Sequence, residues 1–149
     1  MSTLNPDFTF LPSTAAFTAV APSRAARWTG RILSTVVALL LGLDAAMKLL
    51  QVAPVLTASA ELGYSAHAVF GIGLVLAICV VAYVIPRTSL LGAVLLTGYL
   101  GGAIATHVRV GHPIWTHTLF PIYVAVMIWG GLVLRDGRVR GILKACFAR

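Results

Sequence analysis

The chain has 149 residues, of which 59% are hydrophobic and only 10% charged, against about 25% charged residues in a typical soluble domain. That composition excludes a water-soluble globular enzyme. The basic excess, 11 Lys and Arg against 4 Asp and Glu, does not point to nucleic acid: the basic residues flank apolar runs and form no stripe interleaved with polar surface. Attraction to anionic lipid headgroups is the simpler account.

Taken in chain order, residues 1–30 are expected to form a mobile N-terminal tail. They are rich in Ser, Thr, Pro and Ala and lack the contiguous apolar core of a signal peptide. Phe8, Phe10, Leu11 and Phe17 are candidate anchors of a short interfacial segment there. Four apolar stretches follow, Ile32–Leu50, Ala68–Ile85, Leu90–Val108 and Leu119–Leu134. A hydrocarbon core needs about 20 apolar residues per helix. The first three stretches meet this directly, and the fourth does so when extended back through Ile114 and Trp115. The predicted fold is therefore an all-α, membrane-spanning four-helix bundle over residues 31–135, followed by a basic cytoplasmic tail over 136–149.

The links set the orientation. Arg24, Arg27 and Arg31 precede the first span, Arg87 sits in the short second link, and Arg135, Arg138, Arg140, Lys144 and Arg149 follow the fourth. Lys and Arg near span ends are retained on the cytoplasmic side, so both termini are expected to be cytoplasmic, in a bacterial inner membrane. Pro86 is expected to end the second span and to enforce the turn after it. Trp28, Trp115 and Trp129 fall near span ends, where an aromatic belt would put them. The two outer links, roughly Gln51–His67 and Arg109–Thr118, are longer.

With that orientation, every histidine and every acid except Asp7 and Asp136 falls at or near the outer leaflet. Asp44 and Lys48 are four apart, on one helix face and in the favourable acid-before-base order. The pair can simply neutralise itself and fasten helices together. Lys48 can instead snorkel to the outer headgroups and leave Asp44 to Arg109 or His107. Ionisable residues inside a membrane are functional candidates by default, so Asp44, Lys48 and His107 are the candidate catalytic residues. Glu61, Tyr99 and Arg109 are the candidate ligand-binding ones.

No metal site is predicted. His107, His112 and His117 are five apart, which separates helical neighbours by about 140° around the axis, and Pro113 interrupts the helix. Neither His-Glu-x-x-His nor Glu-x-x-His occurs. Gly98, Gly101 and Gly102 are expected to let helices approach closely, as are Gly71 and Gly73. The alternative for the third span is a pocket left by the missing side chains, with Tyr99 supplying a hydroxyl. Cys79 and Cys146 form no CxxC pair, so thiol chemistry would need a partner's thiols.

A set of short blocks carries a family resemblance. They are Gly42 with Lys48-Leu49, Glu61-Leu62-Gly63-Tyr64, Ile85-Pro86-Arg87-Thr88, Leu91-Gly92-Ala93, the run from Thr97 to Ala103, His107-Val108-Arg109, and Leu134-Arg135-Asp136. Together, over about Arg31 to Ile142, the sequence resembles the DoxX-like family of small bacterial membrane proteins. The resemblance implies a four-helix membrane bundle. The wider DoxX and DoxD group is associated with quinone-linked electron transfer, as in thiosulfate:quinone oxidoreductase subunits, and with responses to oxidants and quinones.

Two functions compete. In the first, a quinone or another lipophilic molecule enters from the lipid and its head meets Asp44, Lys48, Tyr99 and His107. Redox or proton-coupled chemistry there would take electrons from a bound cofactor or membrane redox partner, since no flavin or nicotinamide motif is present. In the second, the chain is a non-catalytic accessory or assembly subunit whose glycine face docks another membrane protein or a copy of itself. A small transporter or channel is a third reading, weakened by the lack of an inverted repeat.

Overall fold

The computed structural model describes residues 23–113, 115 and 119–147. Phe8, Phe10, Leu11, Phe17, Ile114 and His117 lie outside the described residues. Within them the chain is all-helical: α1 (Arg24–Leu49), α2 (Ala53–Glu61), α3 (Ala66–Val84), α4 (Ser89–Val110), α5 (Leu119–Arg135) and α6 (Gly137–Phe147).

Local chemistry sets the boundaries. The side chains of Ser23 and Ser65 accept from the amides of Ala26 and Ala68 at 3.2 and 3.3 Å, capping α1 and α3. Pro54 occupies the first turn of α2, where its missing amide hydrogen costs nothing. Ile85, before Pro86, leaves α3 in an extended conformation. Gly111 ends α4 in the left-handed region at φ 75°.

Each long helix buries one stripe. Val37, Leu41 and Ala45 of α1, Leu76, Val80 and Tyr83 of α3, Ala93, Leu96 and Leu100 of α4, and Val124, Ile128 and Leu132 of α5 form the core. The three- and four-residue spacing keeps each set on one face. α1 packs on α3 and α5, and α4 packs on the same two, so the four helices close a ring with α1 and α4 on its diagonal. The outward faces are also apolar: Ile32, Leu39 and Leu43 of α1 are 60%, 69% and 63% exposed. Helices apolar all round are membrane spans. α1, α3 and α4 are each long and apolar enough to cross a membrane. α5, at 17 residues, spans about 26 Å; with the first turns of α6 it passes the same test as a pair bent by 109°. The fold is an all-α, membrane-spanning four-helix bundle.

Three segments differ from the sequence reading. α1 starts at Arg24, so the last residues assigned to the tail are its first two turns. The first outer link contains α2. Gly137–Phe147 folds as α6, because Asp136 caps the amide of Arg138 at 2.9 Å and Val139 is buried against the bundle.

The α6 end is tied by Tyr83, which is fully buried. Its hydroxyl donates to the carbonyl of Ile128 at 3.0 Å and so accepts from Ser34 Oγ, also at 3.0 Å. The Arg135 guanidinium lies 4.9 Å from its ring centre and donates to its carbonyl at 3.0 Å. α4 reaches this knot through Gly92, where any Cβ would overlap the Tyr83 backbone. Gly30 of α1 and Gly131 of α5 allow a second close approach.

The glycines expected to pack did not all do so. A Cβ added at Gly71, Gly98, Gly101 or Gly102 meets nothing within 4 Å, whereas Gly73 packs under Lys48. Small size in the sequence does not say which face of a helix meets a neighbour.

Gly92→Ala should therefore lower the thermal unfolding midpoint in detergent sharply or abolish folded yield, since overpacking costs about 1–3 kcal/mol and the obstacle here is backbone. Gly71→Ala should leave the midpoint unchanged. Equal tolerance at both positions would contradict the packing described.

Candidate functional site

At the opposite end of the bundle, the α2 end, lies a cavity of about 800 Å³, within the range of about 300–1,000 Å³ usual for small-molecule sites. It lies between the diagonal helices α1 and α4 and is also lined by α2, α3, α5 and the residues that follow α2. Leu40, Leu43, Met47, Ile72, Leu100 and Phe120 give it an apolar wall. Its polar groups are Asp44 and Lys48 of α1, Ser59 of α2, Tyr64 after it, and Tyr99, Thr106 and His107 of α4. Gly98, Gly102 and Ala103 line it too; their lack of bulk leaves the space open.

The charged pair is made as the helix geometry requires. Lys48 Nζ donates to Asp44 Oδ1 across one helical turn. The side chains are only 17% and 34% exposed respectively, so each charge is compensated where it is partly withdrawn from solvent. α3 lies close beside this pair, because Gly73 leaves room for the Lys48 stem.

Two contacts hold the segment after α2 against α4. Thr106 Oγ1 donates to the Gly102 carbonyl at 3.0 Å, so its one hydrogen is used and Tyr64 OH donates to it, at 2.7 Å. Arg109 Nη2 donates to the Leu62 carbonyl at 2.7 Å. The backbone at the two ends of α2 takes positive φ, 50° at Gln51 and 83° at Gly63. Gln51 Nε2 donates to the Ala66 carbonyl at 3.0 Å and fastens the link to α3.

His107 and His112 meet with Nδ1 atoms 3.0 Å apart and ring centres 5.2 Å apart. A neutral pair so joined holds complementary tautomers, one Nδ1 carrying the hydrogen and the other bare. The sequence reading kept the two residues on different faces. The left-handed Gly111 turns the chain back at the end of α4, and the His112 amide bonds the His107 carbonyl at 3.1 Å.

Of the residues singled out from sequence, Asp44, Lys48, Tyr99 and His107 line this cavity, with Gly98 and Gly102. Glu61 does not: it is exposed at the end of α2. Arg109 is exposed and engaged by the Leu62 carbonyl, so it clamps the α2 segment and is not part of the lining. Gly101 also lies outside the lining. Trp129, expected near an interface, sits within α5 and donates to Thr97 Oγ1 at 3.0 Å. Tyr64 and Thr106 were missed as site residues; a hydroxyl on each side of a link is too common a pattern to signal a contact. Chemically, the cavity offers an apolar slot with a neutralised charge pair, a phenol and an imidazole at one end.

In comparison with known proteins, residues 32–131 match the DoxX-like family. No curated protein and no solved structure matches the chain.

Removing the clamp should loosen α2 alone. Tyr64→Phe combined with Arg109→Gln should speed amide hydrogen exchange over residues 53–63 by about tenfold or more, at about 1 kcal/mol or more per lost bond. Exchange over 66–84 should not change. Unchanged exchange over 53–63 would show that other contacts hold the segment.

Proposed function

The chain belongs to the DoxX-like family and is a multi-pass membrane protein, and from that premise we propose that the cavity at its α2 end receives a lipophilic small molecule with a hydrogen-bonding head. The observation that carries this reading is the convergence of Asp44, Lys48, Tyr99 and His107 on one apolar space. A quinone is the leading candidate, through the family's association with quinone-linked electron transfer. Its head would lie against those four residues and its tail against Leu40, Leu43 and Phe120.

The residue chemistry suits redox or proton-coupled steps. A carbonyl oxygen gaining negative charge during reduction is stabilised by Lys48 and by the Tyr99 hydroxyl. Asp44 or His107 is within the same space and exchanges the proton. Electrons come from a membrane redox partner or a cofactor held by one. Glu61 and Arg109 have no part in this site. The protein sits in a bacterial inner membrane with both termini cytoplasmic, on the asymmetry of Lys and Arg between the two ends, and the cavity then belongs to the outer leaflet.

One observation favours a second reading. Gly101 is exposed, lies outside the cavity lining and has nothing within 4 Å of an added Cβ, which suits docking of another membrane protein or a second copy in an accessory role.

Purification in mild detergent, followed by solvent extraction and mass spectrometry, separates the two. The proposed function expects a retained quinone. It also expects Asp44→Asn with Lys48→Met, a double change that leaves no unpaired charge, to fold and to bind decylubiquinone about 10–100-fold more weakly, as fits loss of charge-assisted hydrogen bonds. A stoichiometric protein partner, no quinone, and unaltered decylubiquinone binding in the double variant would sink it in favour of the accessory role.

A further inference from the structure

The α6 end, remote from the cavity, carries chemistry that the proposed function does not use. On the first turns of α1, Arg24, Arg27, Trp28 and Arg31 are all exposed and fall at i, i+3, i+4 and i+7, one helix face. The Arg31 guanidinium lies 5.9 Å from the Trp28 ring centre. Arg87, in the α3–α4 link, and Arg138, on α6, are exposed at the same end.

Other arginines there are already committed. Arg135 turns inward to the Tyr83 carbonyl, and Arg140 donates to the Val133 carbonyl at 3.2 Å. Among the described residues, the carboxylate at this end is Asp136, and it caps α6. The ion pair of the described residues is Lys48–Asp44, at the other end. Among the described residues, five outward guanidiniums thus share this end with no carboxylate paired to them.

α6 has a fixed attitude. It leaves α5 at 109°, so with α5 along the membrane normal it lies about 20° from the membrane plane. Burial of Val139 and packing of Leu143 on the core hold it there, while Arg138 and Ile142 stay exposed.

We propose that the α6 end is a binding surface for anionic phospholipid headgroups, made by Arg24, Arg27 and Arg31 with Trp28 on α1, Arg87 in the link and Arg138 on an in-plane α6. Guanidinium forks match phosphate oxygens bidentately, and an exposed Trp among them sits at headgroup depth. The preference is for anionic lipid because a zwitterionic headgroup brings its own cation and leaves the cluster's charge unbalanced. The surface is independent of the cavity and of what fills it.

The test uses the full chain in dodecylmaltoside micelles, doped with phosphatidylglycerol or with phosphatidylcholine, and reads the thermal unfolding midpoint. Phosphatidylglycerol should raise it by about 3–5 °C more than phosphatidylcholine, as expected of a ligand bound by the folded state alone. High salt should erase the difference. Inorganic phosphate at equal concentration should not reproduce it. Arg27→Gln with Arg31→Gln, and separately Arg138→Gln, alter exposed side chains, and each should shrink the difference; native mass spectrometry should show fewer retained phosphatidylglycerol molecules. Equal shifts with both lipids, an equal effect of phosphate alone, or undiminished phosphatidylglycerol preference in both variants would overturn the proposal.

Discussion

The fold depends on the burial of Tyr83 against the backbone of α4. The phenol carries a polar group into the core of a bundle that sits in lipid, where an unsatisfied hydroxyl has no water to turn to. Its hydroxyl is satisfied as acceptor from Ser34 on α1 and as donor to Ile128 on α5. Gly92 brings α4 onto the same residue. One side chain thereby joins all four long helices, and it does so at the α6 end. Between apolar helices in lipid there is no hydrophobic drive to associate, so such a satisfied contact, together with close backbone approach, decides which helices are neighbours.

Tight closure at one end permits space at the other. α1 and α4 face each other across the diagonal of the ring, and at the α2 end α4 presents Gly98, Gly102 and Ala103 to the cavity. Larger residues would fill it. The Asp44–Lys48 pair is affordable there because acid and base are one turn apart on the same helix and meet without help from any other element. The α2 segment, held by Arg109 and Tyr64, covers the end of that space.

Period and length made much of this readable in the sequence. Four apolar stretches, the break at Pro86 and the i, i+4 pairing of Asp44 with Lys48 follow from local rules. What local rules do not encode is which face of a helix meets which neighbour. Gly98, Gly101 and Gly102 look like packing residues and are open; Gly92 and Gly73, less conspicuous, make the close approaches. Tyr83 lies in an uninterrupted apolar run with nothing local to mark it, because its partners are 49 and 45 residues away in sequence. His107 and His112 meet only through the left-handed turn at Gly111. Glu61 closes α2 and Arg109 lies in the last turn of α4, two residues from His107, but the face a helix turns inward, not nearness in sequence, decides what reaches the cavity. The 136–149 segment reads as a basic tail because Arg138, Arg140, Lys144 and Arg149 interrupt its apolar residues; Val139 and Leu143 seat α6 on the bundle.

The two ends fix the depth of the cavity. If the Arg31 level marks one headgroup layer, Asp44 lies 13 residues further along α1 and Lys48 17, or about 20 and 26 Å at 1.5 Å per residue. A hydrocarbon core is about 30 Å thick. The ion pair therefore lies some 4–10 Å short of the far interface, deep enough to be shielded and shallow enough for the head of an amphiphile in that leaflet to reach it without crossing the bilayer centre. On the proposal that Arg138 and the α1 arginines bind headgroups, an in-plane α6 would keep the bundle from sliding along the normal, since Arg138 would have to leave the headgroups. On the same proposal, anchoring at one end would hold the polar residues at the other at a fixed level in the lipid.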